Sequence, residues 1–124
     1  MNAICGSVTQ DSNPEGINQY SGGGGEHAIA ASKMSAGMSP KEPGKLASEE
    51  AHISTMRAAE RNTARAHEQA YVSHTNAGKE HRLAARIPEM HQHPEAAKIH
   101  NQIAQHYEYA AKEHFDEAAR LRSL

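Results

Sequence analysis

The chain reads as mostly α-helical: an extended N-terminal arm, a short helix, and an antiparallel hairpin of two long helices. Three observations lead there. From about Leu46 to Ala77, and again after Pro94, long alanine-rich stretches contain neither proline nor glycine beyond their first positions. Within both stretches the small and ring-bearing side chains recur at alternating spacings of three and four, the rhythm of a helical seam. Residues 1–25, by contrast, are rich in Gly, Ser, Asn and Gln with no sustained period, as in SNPEGINQYSGGGGEH from position 12 to 27.

Residues 1–25 therefore form a Gly-rich arm, which fully extended would reach roughly 80 Å. Residues 26–44 hold a short helix and a turn. EHAIAASKMSA, from Glu26 to Ala36, is helical in pattern and Gly37 suits its C-terminal cap. Two prolines and Gly44 in SPKEPG then interrupt the chain. Residues 45–124 form the hairpin. Ser48 is placed to cap its first helix, with Glu49 and Glu50 in the first turn, and Gly78 to end it. KEHRLAARI (79–87) makes a short helix stopped by Pro88, and PEMHQHP connects. Pro94 opens the last helix at its first position, and Arg120 and Arg122 suit its end near the C-terminus.

The seam of the last helix is Ala97, His100, Ala104, Tyr107, Ala111, His114, Ala118 and Leu121, widened by Ile99, Ile103 and Ala110. That of the first long helix is Ile53, Met56, Thr63, His67, Ala70, His74 and Ala77. Small residues along both let the helix axes approach closely.

Composition bounds the core. Leu, Ile, Val and Phe together make up 14 of the 124 residues, well below the roughly 20% at which packing becomes doubtful. Net charge is only −2, so the chain does not repel itself into disorder. Alanine-rich helices bury little area each, which makes partners, as an oligomer or a larger assembly, the expected source of stability. Residues 45–124 carry 11 basic and 11 acidic side chains with no basic stripe, so no nucleic-acid partner is expected. No apolar run approaches the ~20 residues of a membrane span. MNAICGSVTQ lacks a basic n-region and a long apolar stretch, which points to synthesis in the cytoplasm. Cys5 stands alone and rules out an internal disulfide framework or a cysteine-cluster zinc site.

Ten histidines are the oddest feature of the composition. His67, His74 and His81 lie seven apart. His93, His100 and His114 keep the same rhythm, with Tyr107 filling the gap. Seven residues span two helical turns, roughly 10 Å, too far for two rings of one helix to share an ion. A metal site would need pairs across helices, such as His67 or His74 with His100 or His114. His91 and His93 in the connector are a further possible chelating pair. The simpler reading makes the histidines half-buried seam residues, with no metal and no cofactor. Many imidazoles together would also respond to acid near their unperturbed pKa of ~6.5. No enzyme chemistry is expected: Cys5 has no fixed base on a flexible arm, and SGGGGE is no phosphate loop, having neither a GK[ST] nor a preceding strand.

Asn13-Pro14-Glu15-Gly16-Ile17-Asn18-Gln19-Tyr20, followed by Ser21 and the glycines, resembles a phrase near the N-terminus of small structural proteins encoded by tailed bacteriophages. There a similar phrase leads into Ala- and His-rich helices. The counterparts here are Arg57-Ala58-Ala59-Glu60, Ala64-Arg65-Ala66-His67-Glu68 and Tyr109-Ala110-Ala111-Lys112-Glu113-His114. The resemblance implies a virion protein made in the bacterial host cytoplasm, a minor capsid or cement/decoration component. Its partner would be the major capsid protein or another virion subunit, contacted through Asn13, Pro14, Glu15, Gly16, Ile17, Asn18, Gln19 and Tyr20. Pro14 and Gly16 would shape a turn, while Ile17 and Tyr20 offer apolar contacts. The alternatives are a His-rich metal-binding helical module and a host-directed phage inhibitor.

Overall fold

Gly44, Thr63 and Pro94 mark the starts of the three longer helices, each for a different chemical reason. In the computed structural model, which describes residues 25–38, 42–87, 90 and 92–124, the helices are α1 (Gly25–Ser35), α2 (Lys45–Arg61), α3 (Ala64–Ala84) and α4 (Pro94–Arg122). Among the described residues there is no strand. The fold is mostly α, as the periodicity predicts, with an antiparallel hairpin at its centre. α3 and α4 share the largest interface; α2 packs on α3, and α1 lies against α4 and α2. The arm lies outside the described residues.

The bounds of the first long helix differ from the expectation. The stretch 46–77 is not continuous, and 79–87 is not separate. The chain breaks at Asn62, which adopts the left-handed conformation (φ 48°, ψ 47°) while its N–H donates to the Ala58 carbonyl. Thr63 is extended, and its hydroxyl accepts the Ala66 N–H at 3.1 Å, a side-chain cap. Asn is among the few non-glycine residues that enter this region readily. An Asn-Thr pair thus ends one helix and starts the next without proline or glycine.

Gly78, expected as the stop, lies buried within α3. A Cβ there would stand 3.3 Å from Glu108 Cγ and 3.5 Å from the Ala104 carbonyl. Its bare backbone lets α4 come close, at some cost in helix propensity. Ser48 does not cap α2. The helix starts earlier, with Gly44 at the cap position (φ 89°), and Ser48 is buried in its second turn. Pro94 opens α4 as expected, with His93 at the cap.

The core is built from small side chains. Among the described buried apolar residues, only Ile103 and Tyr107 are larger than alanine. Several residues assigned to the seams face outward instead. Ile53 is 49% exposed and Ile99 47%, and Thr63 is an exposed cap. The buried line of α2 is Ser48, Ala51, Thr55 and Ala58. Lys45 is also buried, and its ammonium donates to the Ser35 carbonyl at 3.1 Å, covering the C-terminal end of α1.

Candidate functional site

The seven-residue rhythm of α3 runs antiparallel to the same rhythm on α4, and the two register ring against ring. His67 meets His114, His74 lies against both His114 and Tyr107, and His81 meets His100. Neighbouring ring centroids are 5.0–5.9 Å apart, giving one column ordered His67, His114, His74, Tyr107, His81, His100. All six side chains are buried. The expectation of half-buried histidines is corrected here: alanines at the intervening seam positions draw the helices so close that water is excluded.

Buried imidazoles need partners, and α2 with the Asn62 that follows its end supplies them at a spacing of seven. Ser48 Oγ lies 2.7 Å from His81 Nε2. Thr55 Oγ1 lies 2.7 Å from His74 Nε2 and 3.3 Å from His114 Nε2. Asn62 Oδ1 lies 2.9 Å from His67 Nε2. Each polar group of α2 thus serves one layer of rings. Sequence reasoning missed these three residues. Their spacing of seven was visible, but Ser48 was spent on a cap and Asn62 lay inside a helix expected to continue.

The geometry fixes where the protons sit on neutral rings. His74 Nδ1–H must donate to the Ala70 carbonyl at 2.6 Å, which leaves its Nε2 bare to accept the Thr55 hydroxyl proton. Thr55 oxygen then accepts His114 Nε2–H, and the bare His114 Nδ1 accepts His67 Nδ1–H at 2.9 Å. A bare His67 Nε2 needs a donor, which the Asn62 amide provides when turned by half a revolution. With Asn62 Oδ1 in that place, His67 is the imidazolium and donates from both nitrogens. The end of the ladder at Asn62 can therefore exchange one proton without losing a hydrogen bond.

The other half is a separate chain. Ser48 Oγ lies 2.7 Å from His81 Nε2, His81 Nδ1 shares a proton with His100 Nδ1 at 2.9 Å, and His100 Nε2 faces Glu42 at 4.0 Å. Tyr107 O–H donates to the Ser48 carbonyl at 3.4 Å. Gly44 makes room for this half. A Cβ at that position would stand 2.7–2.9 Å from the His81 ring.

Burial dominates the electrostatics, because a charged ring loses its hydration in the core. It brings His74 down to about 4, with His52 adding to the effect and the Ala70 carbonyl opposing it. His81 is brought to about 4 by burial and by His100. His114 is brought to about 2 by burial and by the neighbouring His74 and His67. Burial also lowers the two end rings, but a carboxylate opposes it at each: Glu117 at His67 and Glu42 at His100. Burial pushes the Tyr107 phenol up to about 12.

The metal-site candidates are brought together in part. His67, His74 and His114 form one cluster, whereas His100 lies at the opposite end with His81. Among the described residues, no group of three or more His, Cys, Asp or Glu side chains converges as ion ligands. His93 is exposed, and its suggested partner His91 lies outside the described residues. So do all eight candidate contacts of the arm, Asn13, Pro14, Glu15, Gly16, Ile17, Asn18, Gln19 and Tyr20.

Ser48, His81, His100 and Glu42 follow the order of a hydroxyl, a base and an orienting acid. Ser48 is nevertheless buried near the start of α2, and two surface grooves of the molecule are lined by other residues: one near Arg82 and Gln105, the other between Tyr71 and Phe115. No protein-family model, curated relative or solved structure matches this chain.

Proposed function

We propose that this protein is a structural component of a tailed-phage particle, a minor capsid or cement/decoration protein rather than an enzyme. It joins the head shell through its N-terminal arm and packs its helices on neighbouring subunits. The observation that carries this reading is an inversion of the usual distribution of side chains. Alanines, histidines and hydroxyls fill the interior, while large apolar side chains stand outside. Val72 is 63% exposed and Phe115 55%, and Leu46, Ile53, Leu83 and Tyr109 are exposed as well.

Two of these side chains form a contact. Tyr71 of α3 and Phe115 of α4 lie with ring centroids 5.2 Å apart, at a groove of about 430 Å³ that Lys79 and Lys112 also line. Aromatic rings with a charged rim are the composition of a protein contact surface. The ladder supports the same reading, because its ring nitrogens face one another, the polar groups of α2 and Asn62, the Ala70 carbonyl or a nearby carboxylate. The phrase from Asn13 to Tyr20 supplies the phage setting.

Quantitative mass spectrometry of particles purified from the phage that encodes the chain tests the proposal. The chain is expected at a fixed ratio to the major capsid protein, retained through density-gradient purification. Its absence from washed particles would overturn the proposal.

A further inference from the structure

The helix α1 is held by contacts of a different kind from those inside the ladder. On the α4 side, His27 Nδ1 faces His106 Nδ1 at 3.1 Å, with the Tyr109 ring 5.0 Å from that of His27. On the α2 side, Ser32 Oγ lies 3.0 Å from His52 Nδ1. All four of His27, Ser32, His52 and His106 are only partly buried, so protons reach them without prior opening of the bundle. The remaining hold is apolar and cationic. Ala31 packs with Ala47, Ala51 and Ile103, Met34 and Met38 lie against that cluster, and Lys45 caps the helix end.

Full protonation disfavours both contacts: one proton on an outer nitrogen leaves the His27–His106 bond in place and charging both rings breaks it, while a charged His52 strands a buried donor. Two Nδ1 atoms 3.1 Å apart are held together by one proton between them; a second sets N–H against N–H. His52 Nε2 is buried and is the one such side-chain atom without a hydrogen-bond partner among the described residues. An imidazolium there has a donor and nothing to receive it. The titratable neighbours do not compensate. His27 faces His106 and the Tyr109 ring, and the histidine coupled to His52 is His74 of α3.

We infer that α1 is an acid-released latch: protons arriving at the His27–His106 and Ser32–His52 contacts detach it from α4 and α2 while the ladder beneath stays closed. Release uncovers Ala47, Ala51 and Ile103 and frees the helix to which residues 1–24 are joined. The order of events follows from depth. His52 and His106 are lowered by burial but stay accessible, whereas His74 and His114 must be charged in the core.

Amide hydrogen exchange on the full chain, corrected for the intrinsic pH dependence of exchange, tests this. Between pH 7.5 and about pH 5, α1 is expected to lose protection at least ~10-fold and to exchange faster than α3 and α4, which exchange only on global unfolding, since free histidine titrates near ~6.5. Unchanged α1 protection across that range, or α1 protection at about pH 5 equal to that of α3 and α4, overturns the latch. The variant H52Q/H106Q separates the proton effect from packing. Its α1 protection is expected to be the same at both pH values, whether high or already low. A variant that keeps the pH-dependent loss also overturns the inference.

Discussion

His67 and His114 face each other Nδ1 to Nδ1 at 2.9 Å across the α3–α4 interface, in a buried position that holds one proton between two rings. The same arrangement recurs at His81 and His100. Folded-state pKa values of about 4 for His74 and His81, and about 2 for His114, lie below those of the unfolded chain. The unfolded chain therefore takes up protons that the folded chain refuses. Stability is complete above the unfolded pKa of ~6.5 and declines as pH falls toward about 4. Urea unfolding followed by circular dichroism is expected to lose several kcal/mol, on the order of 2 per ring, between pH 7.5 and about 5. A flat midpoint over that interval would show that the rings are not held neutral.

Thr55 is the hinge of the longer hydrogen-bond chain, since its single hydroxyl donates to His74 and accepts from His114. Thr55→Val keeps the shape and strands two ring nitrogens in a dry core. The cost is expected at about 1–3 kcal/mol for each stranded group. Thr55→Ser retains the hydroxyl, loses one buried methyl, and is expected to cost about 1 kcal/mol. Denaturant midpoints of the two variants check the difference; a loss in Thr55→Val no larger than that in Thr55→Ser would mean that the hydroxyl is worth no more than the methyl.

Asn62 has two roles that substitution can separate. Its left-handed backbone ends α2, and its amide meets His67. Asn62→Gly keeps the backbone and removes the amide. Asn62→Ala removes both, and its left-handed backbone costs about 1 kcal/mol more. Alanine is therefore expected to be the less stable variant by about 1 kcal/mol. Both variants should alter the NMR titration of His67, which loses its partner for either protonation state. Equal stability of the two would show that the left-handed turn is not maintained.

The spacing of seven on α3 and α4, the proline start of α4 and the alanine seam were all legible in the sequence. They led to a mostly helical chain with an antiparallel hairpin. What could not be read was which role each ambiguous residue takes. A serine before two glutamates reads as a cap, and Ser48 becomes a ladder partner only because α3 places His81 against it. A glycine at the end of an apolar period reads as a stop, and Gly78 becomes a point of close approach only because α4 passes it. The break at Asn62 carries no proline or glycine. Its signal was an Asn-Thr pair, which also occurs on helix surfaces. Half-burial was the ordinary expectation for histidine; full burial follows from the neighbouring alanines, which set the distance between the helices.

Gly44 and Gly78 make a final pair of contrasting tests. Both face another helix, but they differ in backbone and in what a methyl group would meet. Gly44 has φ 89°, and the obstacle is the His81 ring, enclosed between Ser48 and His100. Gly44→Ala combines left-handed strain with displacement of a buried ring, and a loss of at least about 2 kcal/mol is expected. Gly78 is helical, and its nearest obstacle is Cγ of Glu108, a half-exposed side chain that can move while still reaching Arg82. Gly78→Ala gains up to about 1 kcal/mol in helix propensity, which offsets the crowding, and its stability is expected within about 0.5 kcal/mol of the parent. Thermal and urea unfolding of the two variants side by side check this. A Gly78→Ala loss as large as that of Gly44→Ala would mean that α3 and α4 are packed too rigidly for Glu108 to yield.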